Sequence, residues 1–426
     1  MRKVTKILLK ALSVTVLFLI FCPIVLTLLV SLPSVQNFVV DRAVKYLSRK
    51  LETTVSIDRI RLGAWGSIRV DGFYVEDYQK DTLLYVGRLQ LHMAGLRDNS
   101  AGIVLRNGEV SNTKLYLRET PEGVMNIKQV MDRLSNKEKK GGGDFGFGIR
   151  NVQIDDFTLI IERQEHRDPK YGIDYNDMHL EHTSALIEGF MLRGSMIGGY
   201  IRNFSTTEHS GFRIDNFTGR FLVDRGLVDL RDFEIDTEES AIRLSSLVLR
   251  GEDWSSYKDF VHNVAIDGEL YDTSVSTDDI AHFAPGLLPW RLAVKDMNVS
   301  VSGSVADMNV DVSNISFGEH SSLSTDVSLR GLPDVAHTTM TIDLRRLMTC
   351  EADVARLSAG IGGSELPEKI RSIMSGAGEM ICAGRFEGGI RSFATDLKLT
   401  TQAGNAAVSL KRRPLKREAG DTLSRY

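Results

Sequence analysis

Apolar residues fall at every second position over most of this chain. In "MNVSVSGSVADMNVDVSNISF" (297–317), Met297, Val299 and Val301, then Met308, Val310 and Val312, then Ile315 and Phe317 alternate with Asn298, Ser300, Ser302, Asn309, Asp311 and Ser313. Period two predicts strands with one apolar and one wet face. The same pattern predicts strands in "TTVSIDRIRL", "GSIRVDGFYVED", "DTLLYVGRLQLHM" and "GEVSNTKLYLR" within residues 53–118, and it runs cleanly through Leu323, Thr325, Val327 and Leu329. Parity changes inside some runs. Val152 and Ile154 share one phase and Phe157, Leu159 and Ile161 the other, with Asp155-Asp156 as the turn or bulge between them. Ile242 and Leu244 stand in the same way against Leu247 and Leu249.

Helical spacing is rare. "PSVQNFVVDRAVKYLSRKL" sets Val35, Phe38, Val39, Ala43, Tyr46 and Leu47 at helical intervals, with Arg42, Lys45, Arg49 and Lys50 on other faces. Such a helix suits a membrane surface, its basic residues near lipid phosphates, or a cap packed on the first strands. "NIKQVMDRL" offers Asn126 as an N-cap and Ile127, Val130, Met131 and Leu134 as one stripe. Short helices are expected at "STDDIAHFAPGLL", "TCEADVARLSAG" and "SELPEKIRSIM", too few to cover a sheet. At about 10–12 residues per strand and turn, the body holds roughly 25 strands. Sheets beyond about ten strands curl, split or close. Alternation alone leaves open a sandwich, which buries the apolar faces, and a curled trough, which leaves them lining a groove.

Residues 11–32, "ALSVTVLFLIFCPIVLTLLVSL", carry no charge and as a helix would extend about 33 Å, the thickness of a bilayer core. Pro23 is tolerated better in lipid than in water. A run this long exceeds the core of a cleaved signal peptide, so an uncleaved anchor is expected. Arg2, Lys3, Lys6 and Lys10 precede it and place the N-terminus in the cytoplasm, with the remainder of the chain across the membrane.

With 42% hydrophobic and 25% charged residues the composition is that of a folded protein. The net charge of −4 excludes a generally basic nucleic-acid-binding surface. "KRRPLKR" (411–417) reads as a solvated end. Three cysteines make no disulfide framework: Cys22 lies in the apolar run, and Cys350 and Cys382 are buried thiols or an unsupported pair. "NKEKKGGGDFGFG" joins a charge run to a glycine cluster, the pattern of a linker.

The order of these features resembles the AsmA-like family, in its TamB branch of translocation-and-assembly inner-membrane proteins. The resemblance rests on one N-terminal span, then "LPSVQNFVVDRAVKYLSRKL", then "TTVSIDRIRLGAWGSIRVDGFYVED" with its G-x-I-x-V-x-G-F-x-V-x-D pattern, "DTLLYVGRLQLHM", and the helix "MNIKQVMDRL". It covers about the first 135 residues; the remainder agrees only as a repetitive strand array. It implies a mainly β protein: a single N-terminal transmembrane helix followed by a long curled antiparallel-type β-sheet trough (β-taco) with a few short helices. It also implies a place in the inner membrane of a Gram-negative-type bacterium, bulk in the periplasm, with phospholipids as cargo and an outer-membrane β-barrel as a partner. Members of this branch are usually far longer and end in a domain that meets that barrel, whereas here alternation fades after "AAVSLK". The expected layout is a tail and anchor (1–33), a juxtamembrane helix (34–52), an N-terminal β module (53–137), a linker (138–148), a β-trough (149–410) and a basic tail (411–426).

A lipid cargo is consistent with elementary energetics, since exposing a 16-carbon chain to water costs on the order of 12 kcal/mol at about 0.8 per methylene. The lining would include Leu115, Leu117, Phe157, Leu159, Ile161, Val299, Val301, Val310 and Val312, each of which a closed core would also use. Phe38, Arg42, Lys45 and Arg49 are the membrane-surface candidates. An assembly scaffold with exposed strand edges is the alternative, and a surface adhesin is disfavoured by the anchor.

Catalytic patterns are absent: there is no G-x-S-x-G, Walker loop or H-E-x-x-H. "HLEH" (179–182) would point its histidines to opposite faces of a strand, and "GGGDFGFG" lacks the following Lys-Ser/Thr of a phosphate loop. Asp155-Asp156 and Asp278-Asp279 read as turns and helix starts, and the sequons at Asn203, Asn216, Asn298 and Asn314 as chance in Asn/Ser/Thr-rich strands. A non-enzymatic protein without metal or cofactor is expected.

Overall fold

The computed structural model describes residues 32–63, 66–93, 102–134, 146–165, 171–290, 292–334, 337–362, 365–389 and 392–412. The chain is mainly β, with eighteen strands in one open, mixed sheet and a few short helices. It divides into two compact units, Met1–Asp215 and Asn216–Tyr426.

In the first unit α1 (Pro33–Leu51) leads into β1 (Val55–Leu62), β2 (Ser67–Glu76), β3 (Thr82–Met93) and β4 (Gly102–Arg118). After α2 (Asn126–Leu134) come β5 (Gly146–Glu162), β6 (Asp177–Arg193) and β7 (Met196–Glu208). Sequence neighbours pair antiparallel, except that β4 and β5 run parallel. That exception corrects the all-antiparallel expectation. A parallel pair needs a crossover, and the segment holding α2 provides it. Proline at the first helical position and Arg49 and Lys50 in the last turn favour α1. One end of the apolar face is closed by Leu51, Val55, Val75, Leu83 and Val130, with Leu47, Phe73, Leu84 and Ile127 against them. Each such buried side chain stabilises by about 1.5–3 kcal/mol. The side chains of Met131 and Leu134 lie outside the described residues. Asn126 at the start of α2 is buried; its Oδ1 accepts the Arg118 N–H at 3.0 Å and its amide donates to Asp77 Oδ2 at 3.0 Å and to the Tyr116 carbonyl at 3.2 Å, tying α2 to β4 and the β2–β3 turn.

The unit boundary falls within β8 (Arg213–Asp224). The second unit continues with β9 (Leu227–Thr237), β10 (Ala241–Arg250), a 3-10 turn running into α3 (Phe260–Asn263), β11 (Ala265–Ser276) and α4 (Thr277–Ala281). Then follow β12 (Ala293–Ser304), β13 (Asp307–Phe317), β14 (Ser321–Arg330), β15 (Thr339–Thr349), α5 (Glu351–Gly362) and α6 (Glu368–Ala377). The last strands are β16 (Met380–Gly389), β17 (Ser392–Thr401) and β18 (Gly404–Arg412). From β9 to β18 each strand pairs antiparallel with the next.

The strands are fewer and longer than the alternation suggested, because parity changes occur inside strands. In the first unit, single residues with left-handed backbone interrupt β2 at Gly72 (φ 65°), β4 at Asn112 (φ 52°), β5 at Asp156 (φ 54°) and β6 at His182 (φ 51°). They lie at one level. Asn112 stands beside Asp156, flanked by the pairs Ser111↔Asp155 and Thr113↔Phe157, and on its other side against Gly87 of β3. In the second unit Asp232 (φ 52°), Asp272 (φ 42°) and Asp296 (φ 50°) interrupt β9, β11 and β12. Asp and Asn tolerate this conformation through their short polar side chains. One such residue per strand turns the alternation over, so apolar residues on both sides of the line share one face.

The run at 11–32 lies outside the described residues but for Leu32, as does most of the glycine-rich stretch and of the basic tail. No described helix is long and apolar enough to cross a membrane.

Candidate functional site

Cross-strand pairing assembles the apolar positions into rows, because directly opposed residues share a face. In the second unit one row runs Leu230, Leu247, Gly268, Val301, Val310, Val327, Ile342, Phe386, Thr395 and Leu410 from β9 to β18. A parallel row carries Phe233, Leu244, Leu270, Val299, Val312, Thr325 and Leu344. The four valines singled out from the sequence are thus direct neighbours, Val299 opposite Val312 and Val301 opposite Val310. In the first unit Leu84, Leu115, Leu159 and Leu180 make one row and Leu117, Ile161 and Met178 another, while Phe157 faces Thr113 and Thr183. The row Ile60, Val70, Leu89, Val110, Ile154, Ala185 and Phe204 belongs to the same face and escaped the sequence reading, although its alternation was there to be read.

These faces are only half-covered. Val299, Val301, Val310, Leu115, Leu117, Phe157, Leu159 and Ile161 are all intermediate in exposure, and Val312 alone of the nominated residues is buried, at 7%. A second sheet packed at about 10 Å would seal such positions. The described strands belong to one open sheet and not to two separate ones.

Polar atoms do enter the apolar face at the line of left-handed residues. There Thr113, Thr183, Thr206, Thr273 and Thr325 are buried. Thr183 and Thr206 bond hydroxyl to hydroxyl at 2.7 Å; Thr273 donates to the Arg243 carbonyl at 3.1 Å and accepts from its N–H at 2.9 Å; Thr325 donates to the Asp343 carbonyl at 3.1 Å. Thr206, Thr273 and Thr325 thereby satisfy backbone groups that the irregular pairing releases, whereas the buried Thr113 hydroxyl has no partner among the described residues.

The opposite face is wet and charged. Asp311, Asp326 and Asp343 stand side by side on β13, β14 and β15. Arg345 donates to Asp311 at 2.8 Å and Asp326 at 3.3 Å, and Arg385 to Asp343 at 3.2 Å. Hydrogen bonds from Arg345, then Asp326 and Ser313, hold the Asp311 carboxyl at about 2, while sharing a hydrogen bond with Asp311 raises Asp326.

Helix α1 presents both faces that its sequence offered. Leu47 and Leu51 pack inward, and the Ser48 hydroxyl accepts the Val55 N–H at 3.2 Å. Outward stand Phe38 (68% exposed), Arg42, Lys45, Tyr46 (58%) and Arg49, a continuous stripe of aromatic and basic residues.

The remaining sequence signals resolve into structure. His179 meets Asp177 at 3.1 Å and the ring of His209 at 4.7 Å, whereas His182 meets Asp156 at 3.6 Å. The left-handed backbone at His182 voids the simple alternation argument, but the two histidines have separate partners, and no metal-holding group occurs among the described residues. Asp279 starts α4 and accepts from the Thr237 and Ser240 hydroxyls, both at 2.6 Å. Asn298 and Asn314 each donate to the Asp296 carbonyl at 3.1 Å. Cys350 and Cys382 are free thiols, and burial pushes Cys382 up. No family model, curated protein or solved structure matches this chain.

Proposed function

We propose that this chain is a non-catalytic lipid carrier of the AsmA-like, TamB type, its apolar face shielding acyl chains as phospholipid moves between inner and outer membranes. On this reading residues 11–32 anchor it in the inner membrane, α1 lies along the lipid headgroups through Phe38, Arg42, Lys45 and Arg49, and the sheet curls into a trough. The observation that carries the reading is the run of apolar rows left half-exposed from strand to strand. An unlidded face of that length is costly in water unless something apolar occupies it. It needs no catalytic group, only one dry face and one wet one.

The experiment is mass spectrometry of lipids retained by the purified chain, with Val299→Asp and Val310→Asp as variants. Co-purified phospholipid, lost in both variants while thermal unfolding is little changed, is the expected result. Unfolding of both variants without any retained lipid in the parent sinks the proposal. The second reading, a scaffold for outer-membrane β-barrel assembly, is favoured by β18, exposed at every residue and, in the described pairings, bonded to β17 alone. Crosslinks to barrel proteins without bound lipid would support it instead.

A further inference from the structure

The wet face of the first three strands gathers arginines that share a single carboxylate, Asp71, among the described ion pairs. Arg61 and Arg69 oppose each other directly across β1 and β2. Like charges so placed repel. The Asp71 carboxylate is shared between Arg61 and Arg88, each at 3.6 Å, well beyond the 2.7–2.9 Å typical of a strong charged hydrogen bond. Arg69 has no carboxylate partner among the described residues. Its Nε and Nη2 both donate to the neutral Gln90 Oε1, at 3.0 and 2.5 Å. Gln90 Nε2 lies 3.3 Å from His92 Nε2, which holds the amide with its oxygen toward Arg69. The guanidinium is fixed, then, and no carboxylate among the described residues meets its charge.

At the ends of β1 and β2 is a cavity of about 330 Å³, bordered on its polar side by Gln36 of α1, Arg61, Ser67, Arg69 and Gln90 and elsewhere by Gly63 and the apolar pair Leu62 and Ile68. No acidic residue among the described ones lines it; the nearest acid in that row, Glu109, is the partner of Gln90 on the next strand. Gly63 matters to its shape, because a Cβ there would lie 2.2 Å from the Ser67 hydroxyl. A larger cavity of about 480 Å³ shows the contrast: Arg118, Arg163 and His179 are interleaved with Glu119, Glu162 and Asp177, and Arg118 already binds Glu162 at 2.7 Å. That cavity is balanced internally, and the smaller one is not.

We infer that the cavity between Arg61 and Arg69 is a binding site for a phosphate oxyanion, as a phosphomonoester or phosphodiester. Two guanidinium groups supply planar paired donors suited to phosphate, and the Ser67 hydroxyl and Gln36 amide border the same space. A bound phosphate would relieve the facing arginines, an unfavourable pairing of the early strands. The inference stands apart from the carrier reading, since it rests on the charged side chains at the ends of β1 and β2 and not on the apolar rows.

The test titrates the full chain, in micelles of an uncharged detergent, with inorganic phosphate and separately with glycerol 3-phosphate, followed by calorimetry and phosphorus NMR. Saturable binding is expected. Arg61→Gln and Arg69→Gln should each weaken it about tenfold or more, the loss of one charged hydrogen-bonding partner. Arg220→Gln, an exposed arginine of the second unit, should leave it unchanged. Thermal midpoints report whether each variant is folded; should Arg69→Gln unfold, the half-exposed Arg61 carries the test alone. Tighter binding of glycerol 3-phosphate, together with Arg61-dependent sedimentation on phosphatidylglycerol vesicles, assigns the phosphate to a lipid headgroup. Equal affinities with unchanged sedimentation assign it to free phosphate. Absence of saturable binding by the parent, or equal binding by the parent and Arg61→Gln, overturns the site.

Discussion

Strands β9–β11 with α4, and β13–β15 with α5, are two versions of one plan. In each, a serine at or just before the start of the second strand donates to an aspartate in the first turn of the helix that follows the third: Ser240 to Asp279 at 2.6 Å, Ser321 to Asp353 at 2.8 Å. In each, the glycine after the second strand donates to a carbonyl in the turn before the first, Gly251 to Gly226 and Gly331 to Ala306, both at 2.9 Å. What differs is the middle. The extra residue sits on β10 at Ser245 in the first version and on β15 at Arg345 in the second. The long Arg345 side chain then reaches back over the wet face to the Val312 carbonyl at 2.7 Å, whereas Ser245 stays local, donating to Glu269 Oε2 at 2.8 Å. The ends of this sheet are held by specific polar clamps, and the spans between them tolerate rearrangement so long as one face stays apolar.

The clamps themselves are unequal, and replacing them tests the comparison most severely. Asp353 is 1% exposed and accepts from the N–H groups of Glu319 and His320 at 3.0 and 2.8 Å besides Ser321. Asp279 is half-buried and accepts one N–H, from Glu239 at 3.2 Å, besides its two hydroxyls. Asp353→Ala should therefore cost about 3 kcal/mol in urea unfolding and Asp279→Ala about 1.5; equal costs would mean that the clamps do not differ as their bonds suggest.

Acid should act through the stronger clamp. Burial alone would raise the Asp353 carboxyl, but hydrogen bonds from Glu319, His320, Ser321 and Cys350 outweigh it and hold it below its ordinary value of 3.8. A depressed carboxylate contributes stability that is complete above the ordinary value and is lost as pH falls through the folded one. The parent should lose stability progressively below about pH 4, and Asp353→Ala should show a shallower decline; identical slopes would remove this carboxylate as a cause.

The smallest expected difference is in the spans. Thr273 is 0% exposed with hydrogen bonds to both backbone groups of Arg243, and Thr325 reaches one carbonyl of the neighbouring strand. Thr273→Val should cost about 1 kcal/mol and Thr325→Val about half as much, measured by the same unfolding curves. A reversed order would show that packing, not hydrogen bonding, governs the buried threonines.

Much of this architecture was written in the alternation itself. Val299, Val301, Val310 and Val312 fall on one face because period two leaves no other choice, and "STDDIA" and "TCEADVA" form short helices where their spacing places them. The parallel pairing of β4 with β5 was not legible, because residues that alternate do so in either direction. Nor were the continuous strands: a change of parity at Asp155-Asp156 reads the same whether the chain turns back or merely rolls over. The useful signal was the residue type. Asn112, Asp156, Asp232, Asp272 and Asp296 each mark a rollover and are of the kinds that best accept left-handed backbone. Which face would stay uncovered depended on what packs above it, and the facing arginines at 61 and 69 depended on register, so neither follows from local pattern.

The left-handed residues also act as index marks. Sliding one strand by two positions along its neighbour keeps every dry residue on the dry side, so hydrophobicity by itself does not oppose that error. It would, however, set an inverted residue such as Asn112 against ordinary extended backbone in place of Asp156, and both rolls would fall out of step. The line across each unit is thus a keyed alignment that lets long repetitive strands find a single register.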